Sequence, residues 1–146
     1  MPKREFAHRL FHGQPSLMRT IIGDFRLTIN GMEFKKTERR TLIMLLSAES
    51  MTLTAIAARF GFQKGGLTPV LDRLEKNKLI KRIRSTVDRR SVDIALTARG
   101  RSIAKKVRAA VHGHVVKTTA LLPARELREL EKAVDTIYRI SNILKL

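Results

Sequence analysis

Residues 79–100 read LIKRIRSTVDRRSVDIALTARG, and the fold prediction starts from this segment. Two β-branched runs, residues 79–84 and 91–96, flank a polar stretch over residues 85–90, a pattern typical of a β-hairpin. Thr97 follows the second run and is expected to cap the next helix, because its hydroxyl accepts a hydrogen bond from a first-turn N–H. The segment therefore predicts a hairpin followed by a helix.

Two short helices are predicted immediately before this hairpin. Residues 51–62 indicate a short extended piece, an N-cap at Thr54, two helical turns and a stop at Gly61. Residues 67–76 predict an amphipathic helix with apolar residues at positions i, i+3, i+4 and i+7, namely Leu67, Val70, Leu71 and Leu74. Two helices joined by a glycine turn and followed by a hairpin form a winged helix-turn-helix, in which the hairpin tip is the wing.

Helices are also predicted before this lobe. A polar, basic arm leads to a first helix that starts at Ser16 and stops at Asn30-Gly31. Thr37 is expected to cap a second helix over about residues 38–47, whose buried face holds leucines.

Two longer helices are predicted after the lobe. The helix that follows Thr97 carries an apolar and a basic stripe, formed by Ile103, Val107, Val111 and Val115 and by Arg101, Lys105 and Arg108. A final helix opens at Leu122-Pro123 and is interrupted at Ser141. Its apolar residues recur at spacings of three and four, namely Leu127, Leu130, Val134, Ile137 and Leu144.

We expect one compact domain in which three parts of the chain have different roles. Residues 1–36 are an N-terminal arm and dimerisation helix, residues 37–100 the winged helix-turn-helix lobe, and residues 101–146 the C-terminal dimerisation helices. The fold class is mainly α with a small β-hairpin wing. Terminal helices with an apolar stripe outside a small lobe have too little of their own chain to pack on. A homodimer interface is the simplest explanation.

The charge predicts a polyanionic partner. The chain has 30 Lys and Arg against 13 Asp and Glu, a formal net charge of +17, and no cysteine, which excludes disulfides, thiolate metal sites and a cysteine nucleophile. The longest apolar run, Leu42 to Leu46, is far shorter than a membrane span of about 20 residues. We therefore expect a cytoplasmic, nucleoid-associated protein that binds nucleic acid, with a membrane surface as the weaker alternative.

The wing segment resembles the signature of the MarR (multiple-antibiotic-resistance regulator) family. Asp88-Arg89-Arg90 and Leu96-Thr97-Ala98-Arg99-Gly100 are similar to its D-x-R and L-T-x-x-G motifs, and the terminal helices fit its plan of an intertwined dimer. The resemblance implies a dimeric regulator of transcription that binds double-stranded DNA, usually a repressor released by a small, often phenolic, ligand. Separately, no catalytic pattern stands out in the sequence, so we expect neither enzymatic activity nor a cofactor.

The resemblance assigns roles to the charged residues of the wing. Arg90 is the wing-tip arginine that enters the minor groove, and Asp88 orients the wing arginines. Arg82, Arg84 and Arg89 are the nearby phosphate contacts. Physical reasoning supports an arginine here, because the minor groove is narrow and strongly negative. The alternative is that Asp88 and its neighbours form only a solvated ion-pair cluster.

The recognition helix departs from the family pattern. Gly65 and Gly66 have no side chain with which to contact a base, and Pro69 fits only the first helical turn, which predicts a helix start at Gly65 or Gly66. Free N–H groups there suit a phosphate oxygen. Base contacts then fall on Gln63, Lys64, Thr68 and Arg73, so we expect weaker sequence discrimination. Alternatively, the two glycines only make the turn.

Two further groups of residues are weighed as ligand sites. A pocket for a small aromatic or phenolic effector is predicted at Ile21, Ile22, Phe25, Leu42 and Leu45, with plain core as the alternative. The histidines, His8, His12, His112 and His114, are expected to be ordinary surface or interface residues rather than metal ligands. No arrangement typical of catalysis is present.

These inferences combine into one functional prediction. The chain is expected to bind an inverted-repeat operator as a homodimer, with the recognition helix in the major groove and the wing arginine in the minor groove. The alternative is an architectural DNA-binding protein of low sequence specificity, which would coat DNA through charge.

Overall fold

The computed structural model describes Glu5, His8 and residues 16–23, 25–61, 64–84 and 92–144. The helices are α1 (helical residues 16–22), α2 (Lys36–Leu45), α3 (Leu53–Phe60), α4 (Lys64–Lys76), α5 (Ala98–Thr119) and α6 (Ala124–Ile143). The strands are β1 (Thr28–Ile29), β2 (Met32–Glu33), β3 (Met51–Thr52), β4 (Ile80–Arg84) and β5 (Val92–Leu96). The predicted fold class, mainly helical with a small β wing, is confirmed.

The chain forms two compact units. Unit 1 comprises residues 1–25 and 112–146, and unit 2 comprises residues 26–111. Unit 2 therefore contains the winged helix-turn-helix, whose predicted limits were residues 37–100. Unit 2 also contains the hairpin of β1 and β2, which precedes α2.

The predicted wing hairpin is confirmed. Strands β4 and β5 pair antiparallel from Ile80–Leu96 to Arg84–Val92. The short strand β3 pairs with the other edge of β5, which gives the sheet order β3-β5-β4. Residues 85–91, which include the wing-tip positions, lie outside the described residues.

The first helix is shorter than predicted. Instead of continuing to Asn30-Gly31, helical backbone ends at residue 22, and the Asn-Gly pair forms the turn between β1 and β2. Both residues have positive φ, 52° and 75°, which suits a two-residue hairpin turn. The predicted cap Thr37 is also wrong: Lys35 is the N-cap of α2.

The helix-turn-helix has two corrected boundaries. Thr52 rather than Thr54 caps α3, because its backbone is extended and its Oγ1 accepts a hydrogen bond from the Ala55 N–H at 3.1 Å. The stop at Gly61 is confirmed, with φ 67°. Helix α4 begins at Lys64, so Pro69 lies beyond its first turn. The buried leucines around Pro69 stabilise this longer helix despite the missing N–H.

The L-T-x-x-G motif joins α5 to the end of α4. Thr97 is confirmed as a cap, since its Oγ1 accepts from the Gly100 N–H at 2.9 Å, and the same hydroxyl donates to the Lys78 carbonyl at 2.7 Å. Gly100 lies against the Leu79 backbone, where a Cβ would come within 1.7 Å of the carbonyl oxygen. Only glycine fits this contact.

The core lies in unit 2. Its fully buried residues come from α2, α3, α4, α5 and the three-stranded sheet, and include Leu42, Leu45, Ile56, Leu67, Leu71, Leu74, Leu79, Ile80, Ile94 and Val107. In contrast, α6 of unit 1 buries no residue. Ser141 does not interrupt α6, which continues to Ile143, because a serine weakens a helix by only a few tenths of a kcal/mol. No described helix combines the length and apolarity needed to cross a membrane.

Candidate nucleic-acid interface

Helix α4 has a buried face and an exposed face. Leu67, Leu71 and Leu74 are buried in unit 2, whereas Gly66, Thr68 and Pro69 are exposed. Packing does not require a glycine at Gly66, because a methyl group there would meet no described atom within 4 Å. Of the other predicted contacts, Lys64 and Gly65 lie in the first turn of α4, and Gln63 lies outside the described residues.

Arg73 binds residues of its own unit. Its Nη1 lies 2.9 Å from Oε1 of Glu38, and its Nη2 donates to the Glu33 carbonyl at 3.0 Å. Glu38 is buried, and its other oxygen accepts the Lys35 N–H at 2.8 Å at the start of α2. One carboxylate therefore caps α2 and holds α4. In this structure Arg73 joins α4 to α2 and β2, and its contact with a base stays a prediction.

Arg82 lies between two carboxylates of α4. Its Nη2 is 2.5 Å from Oδ1 of Asp72, and its Nη1 donates to Glu75. The hydrogen bond to Asp72 raises the pKa of Arg82, partial burial lowers it, and the charge of Glu75 raises it further. The three side chains carry a net charge of −1. This cluster fixes β4 on α4, and the predicted phosphate contact would require Arg82 to exchange a carboxylate for a phosphate.

Arg84 has a different environment. It lies at the last pair of the hairpin, opposite Val92, and is exposed. Within the described part of the chain it makes no hydrogen bond or ion pair. Its guanidinium is therefore available to a phosphate. The other predicted wing residues, Asp88, Arg89 and Arg90, lie outside the described residues, so their roles stay predictions.

Sequence reasoning missed a cation beside the helix-turn-helix. The Arg40 guanidinium lies 4.5 Å from the centre of the Phe60 ring, close enough for a cation–π interaction. Arg40 is exposed on α2, and Phe60 is the last residue of α3. No local pattern could reveal this contact, because the two residues are separated along the chain.

The predicted ligand-pocket residues belong to different units. Leu42 and Leu45 are fully buried in unit 2. Ile21, Ile22 and Phe25 are half-buried in unit 1.

Within unit 1, Phe25 stacks on His114, with ring centres 4.2 Å apart. Nε2 of His114 lies 2.8 Å from the Ile21 carbonyl oxygen. This histidine therefore has a packing role. The effector pocket stays a prediction, and His12 lies outside the described residues.

The charged side chains of helix α5 are all positive. Its sequence contains six Lys and Arg and no Asp or Glu. Five of the six precede residue 109 and are exposed, namely Arg99, Arg101, Lys105, Lys106 and Arg108. None of the five forms an ion pair with another described residue.

Residues 34–92 match the model of the MarR family. The chain is 26% identical to an uncharacterized HTH-type transcriptional regulator, YfiV, of Bacillus subtilis over 108 residues, covering 74% of this chain and 68% of that protein. It is 31% identical over 96 residues to the organic hydroperoxide resistance transcriptional regulator of B. subtilis, covering 66% and 64%. The chain thus spans about two thirds of these relatives.

A solved structure has the same fold. The crystal structure of FabT from Streptococcus pneumoniae in complex with DNA superposes with a TM-score of 0.63 at 21% identity. The match covers 97% of this chain and 96% of that chain.

Proposed function

We propose that the chain is a transcription regulator of the MarR family, whose model residues 34–92 match, and that it binds double-stranded DNA as a homodimer. The observation that carries the proposal is the pairing of two features. Unit 2 presents α4 and a basic hairpin around its own core, and unit 1 leaves the apolar stripe of α6 partly exposed. One feature suits DNA and the other suits a second copy.

The DNA-binding part of the proposal assigns α4 to the major groove and the hairpin to the minor groove. The exposed start of α4, around Gly66 and Thr68, carries small side chains, so the helix backbone can come close to the duplex. Arg84 then contacts a phosphate at the base of the wing, and Arg90 enters the minor groove.

The dimer part follows from the exposure of α6. Val134 and Ile137 are 38% and 42% exposed on one stripe of the helix, so the chain itself covers each of them only in part. Burying such side chains stabilises an association by about 1 kcal/mol each when they are already half-covered. Two-fold symmetry then gives an inverted-repeat operator with half-site centres about 10–10.5 bp apart, or one turn more.

Regulation is proposed as repression that a small aromatic or phenolic effector releases. The support is an apolar and aromatic group within unit 1, where Phe25 stacks on His114 and His114 lies against the Ile21 carbonyl. The test is to titrate a panel of phenolic acids into the protein–DNA complex. Release of DNA by one of them, with saturation, is expected.

An architectural role remains the second candidate function. It is favoured by the net charge of +17 and by Gly66, which offers no side chain for base readout. The ratio of specific to non-specific affinity separates the two functions, since regulators reach about 10³ or more.

The proposed experiment compares the wild-type protein with Arg90→Ala and with Lys78→Ala, a matched removal of one exposed charge near the end of α4. Arg90→Ala is expected to weaken DNA binding at low salt in a folded protein, and Lys78→Ala to weaken it less. Equal effects would remove the wing from the mechanism.

A further inference from the structure

We propose that the exposed basic residues of α5 form a second surface for the phosphate backbone of duplex DNA, separate from the winged helix-turn-helix. This α5 basic face consists of Arg99, Arg101, Lys105, Lys106 and Arg108. The inference rests on the proposed function, in that it takes DNA as the ligand, but it assigns to α5 a contact that neither α4 nor the wing makes.

The first support is the difference in pairing between the cations of unit 2. Arg73 and Arg82 are held by carboxylates, and Arg40 lies over an aromatic ring. The α5 basic face has no such partner among the described residues, and α5 contains no acid that could supply one. Other exposed cations of unit 2, such as Arg84, are also unpaired, but among the described helices only α5 carries five of them with no acid.

The second support is the position of two of these arginines. Arg99 and Arg101 lie in the first turn of α5, which has no acidic residue. The amino end of a helix carries partial positive charge, so a cation there destabilises the helix by roughly 0.3–1 kcal/mol. Helix stability does not explain these residues, and binding of an anion would.

The third support is that the α5 basic face has no large apolar side chain among its exposed positions. Between the cations, the exposed positions of this segment are small, namely Ala98, Ser102 and Ala109. Protein interfaces are usually centred on aromatic or large apolar anchors. Membrane-binding helices require an exposed apolar side, whereas Ile103 and Val107 of α5 are buried in the core. A phosphate backbone needs only cations, so the chemistry of the face fits DNA.

The location of the face makes it a separate surface. Thr97, which caps α5, is hydrogen-bonded to Lys78 just beyond the carboxyl end of α4. Lys64, a predicted base contact, lies at the opposite end of α4, about 18 Å away along a helix of this length. The α5 basic face therefore contacts phosphates that the start of α4 does not reach.

The test is the salt dependence of binding to random-sequence duplexes. The variant Arg101→Gln, Lys105→Gln, Arg108→Gln removes three charges from the face. The matched control, Arg125→Gln, Arg128→Gln, Arg139→Gln, removes three exposed charges from the side of α6 opposite its apolar stripe, so both proteins keep the same net charge. Circular dichroism confirms folding, and the α5 variant is expected to melt no lower than wild type.

Each phosphate contact contributes about 0.9 to the slope of log K against log salt concentration. The absolute value of this slope is expected to be smaller for the α5 variant than for the control by about 1 to 3. An α5 variant with the slope of the control would overturn the proposal. If Arg90→Ala weakens binding while the two triple variants behave alike, the α5 surface fails and the proposed function stands.

Two arms distinguish the source of the phosphates. If the face contacts the same duplex, the α5 variant loses more affinity for a 60-bp than for a 20-bp duplex, lengths chosen as roughly six and two helical turns. If it contacts a second duplex, wild type bound to an immobilised duplex captures a free labelled one and the variant does not. A loss confined to single-stranded RNA of matched length would contradict the assignment to duplex DNA.

Discussion

Units 1 and 2 differ in where their apolar side chains lie. In unit 2, leucines, isoleucines and valines of four helices and a small sheet are fully buried within the chain. In unit 1, no described residue is buried to that degree, and Tyr138 of α6 is 69% exposed. Unit 2 therefore encloses its own core, whereas the apolar stripe of α6 in unit 1 stays partly exposed. The proposed function assigns DNA recognition to unit 2 and assembly to unit 1.

The largest expected effect on folding stability tests whether the core of unit 2 depends on the Gly100 contact. Gly100→Ala should destabilise the protein by about 3 kcal/mol or more, because the added Cβ overlaps the Leu79 backbone and neither can relax. The matched control is Gly113→Ala, on the same helix, where a methyl group meets no described atom within 4 Å. That change should stabilise the helix by up to about 1 kcal/mol. Urea unfolding followed by circular dichroism measures both, and equal stabilities would refute the packing argument.

The second prediction concerns changes that disrupt the proposed dimer interface of unit 1 and leave unit 2 folded. Val134→Glu with Ile137→Glu places charge on the stripe of α6 and should weaken dimerisation by about a thousandfold or more, since four side chains of about 1 kcal/mol each are lost per dimer. The control, Arg128→Glu with Arg139→Glu, adds two glutamates to the opposite side of α6. Sedimentation equilibrium reports the mass. A dimer that survives the first pair of changes would place the interface elsewhere.

The third prediction compares a buried with an exposed ion pair. Glu38→Gln removes the charge that holds Arg73 and weakens the cap on α2, and should cost about 1–2 kcal/mol after allowance for the part-exposed guanidinium. Glu129→Gln removes the exposed pair with Lys132 on α6 and should change stability by less than about 0.5 kcal/mol. Matching values in urea unfolding would mean that Glu38 does not hold α4.

The smallest effect separates the two explanations of the recognition-helix glycines. Gly66→Ala should stabilise unit 2 by about 0.5–1 kcal/mol, because alanine is the better helix former and space is available. If DNA approaches this backbone closely, the same change should weaken DNA binding by about tenfold, or about 1.4 kcal/mol. Fluorescence anisotropy with a labelled duplex gives the affinity. A stabilised protein with unchanged affinity would restrict the glycine pair to a role in the turn.

Local sequence patterns predicted which helices and strands form in unit 2, but they located the ends of those elements less accurately. The wing strands, the cap at Thr97 and the stop at Gly61 follow from residue types and spacing alone. The cap of α3 did not, because Thr52 and Thr54 have the same side chain and only the extended backbone of Thr52 selects it. Asn30-Gly31 ends a helix or turns a hairpin equally well by composition, and the pairing of β1 with β2 decides between them.

The site was harder to predict because its charges pair over long separations. Arg73 and Glu38 lie 35 positions apart, and no spacing rule links a residue of α4 to a carboxylate at the start of α2. Arg82 resembled a free phosphate contact because its partners, Asp72 and Glu75, precede a turn and a strand. The exposed cations of α5 were visible in the sequence, but their lack of partners was not.

The most direct test of the division between the two units is selection of bound sequences from a random duplex library at about 0.15 M salt, because charge alone enriches no motif and base or shape readout does. The predicted result is an inverted repeat with two half-sites, read by two copies of unit 2 that unit 1 holds together. A single half-site, or tight binding without any enriched sequence, would contradict it.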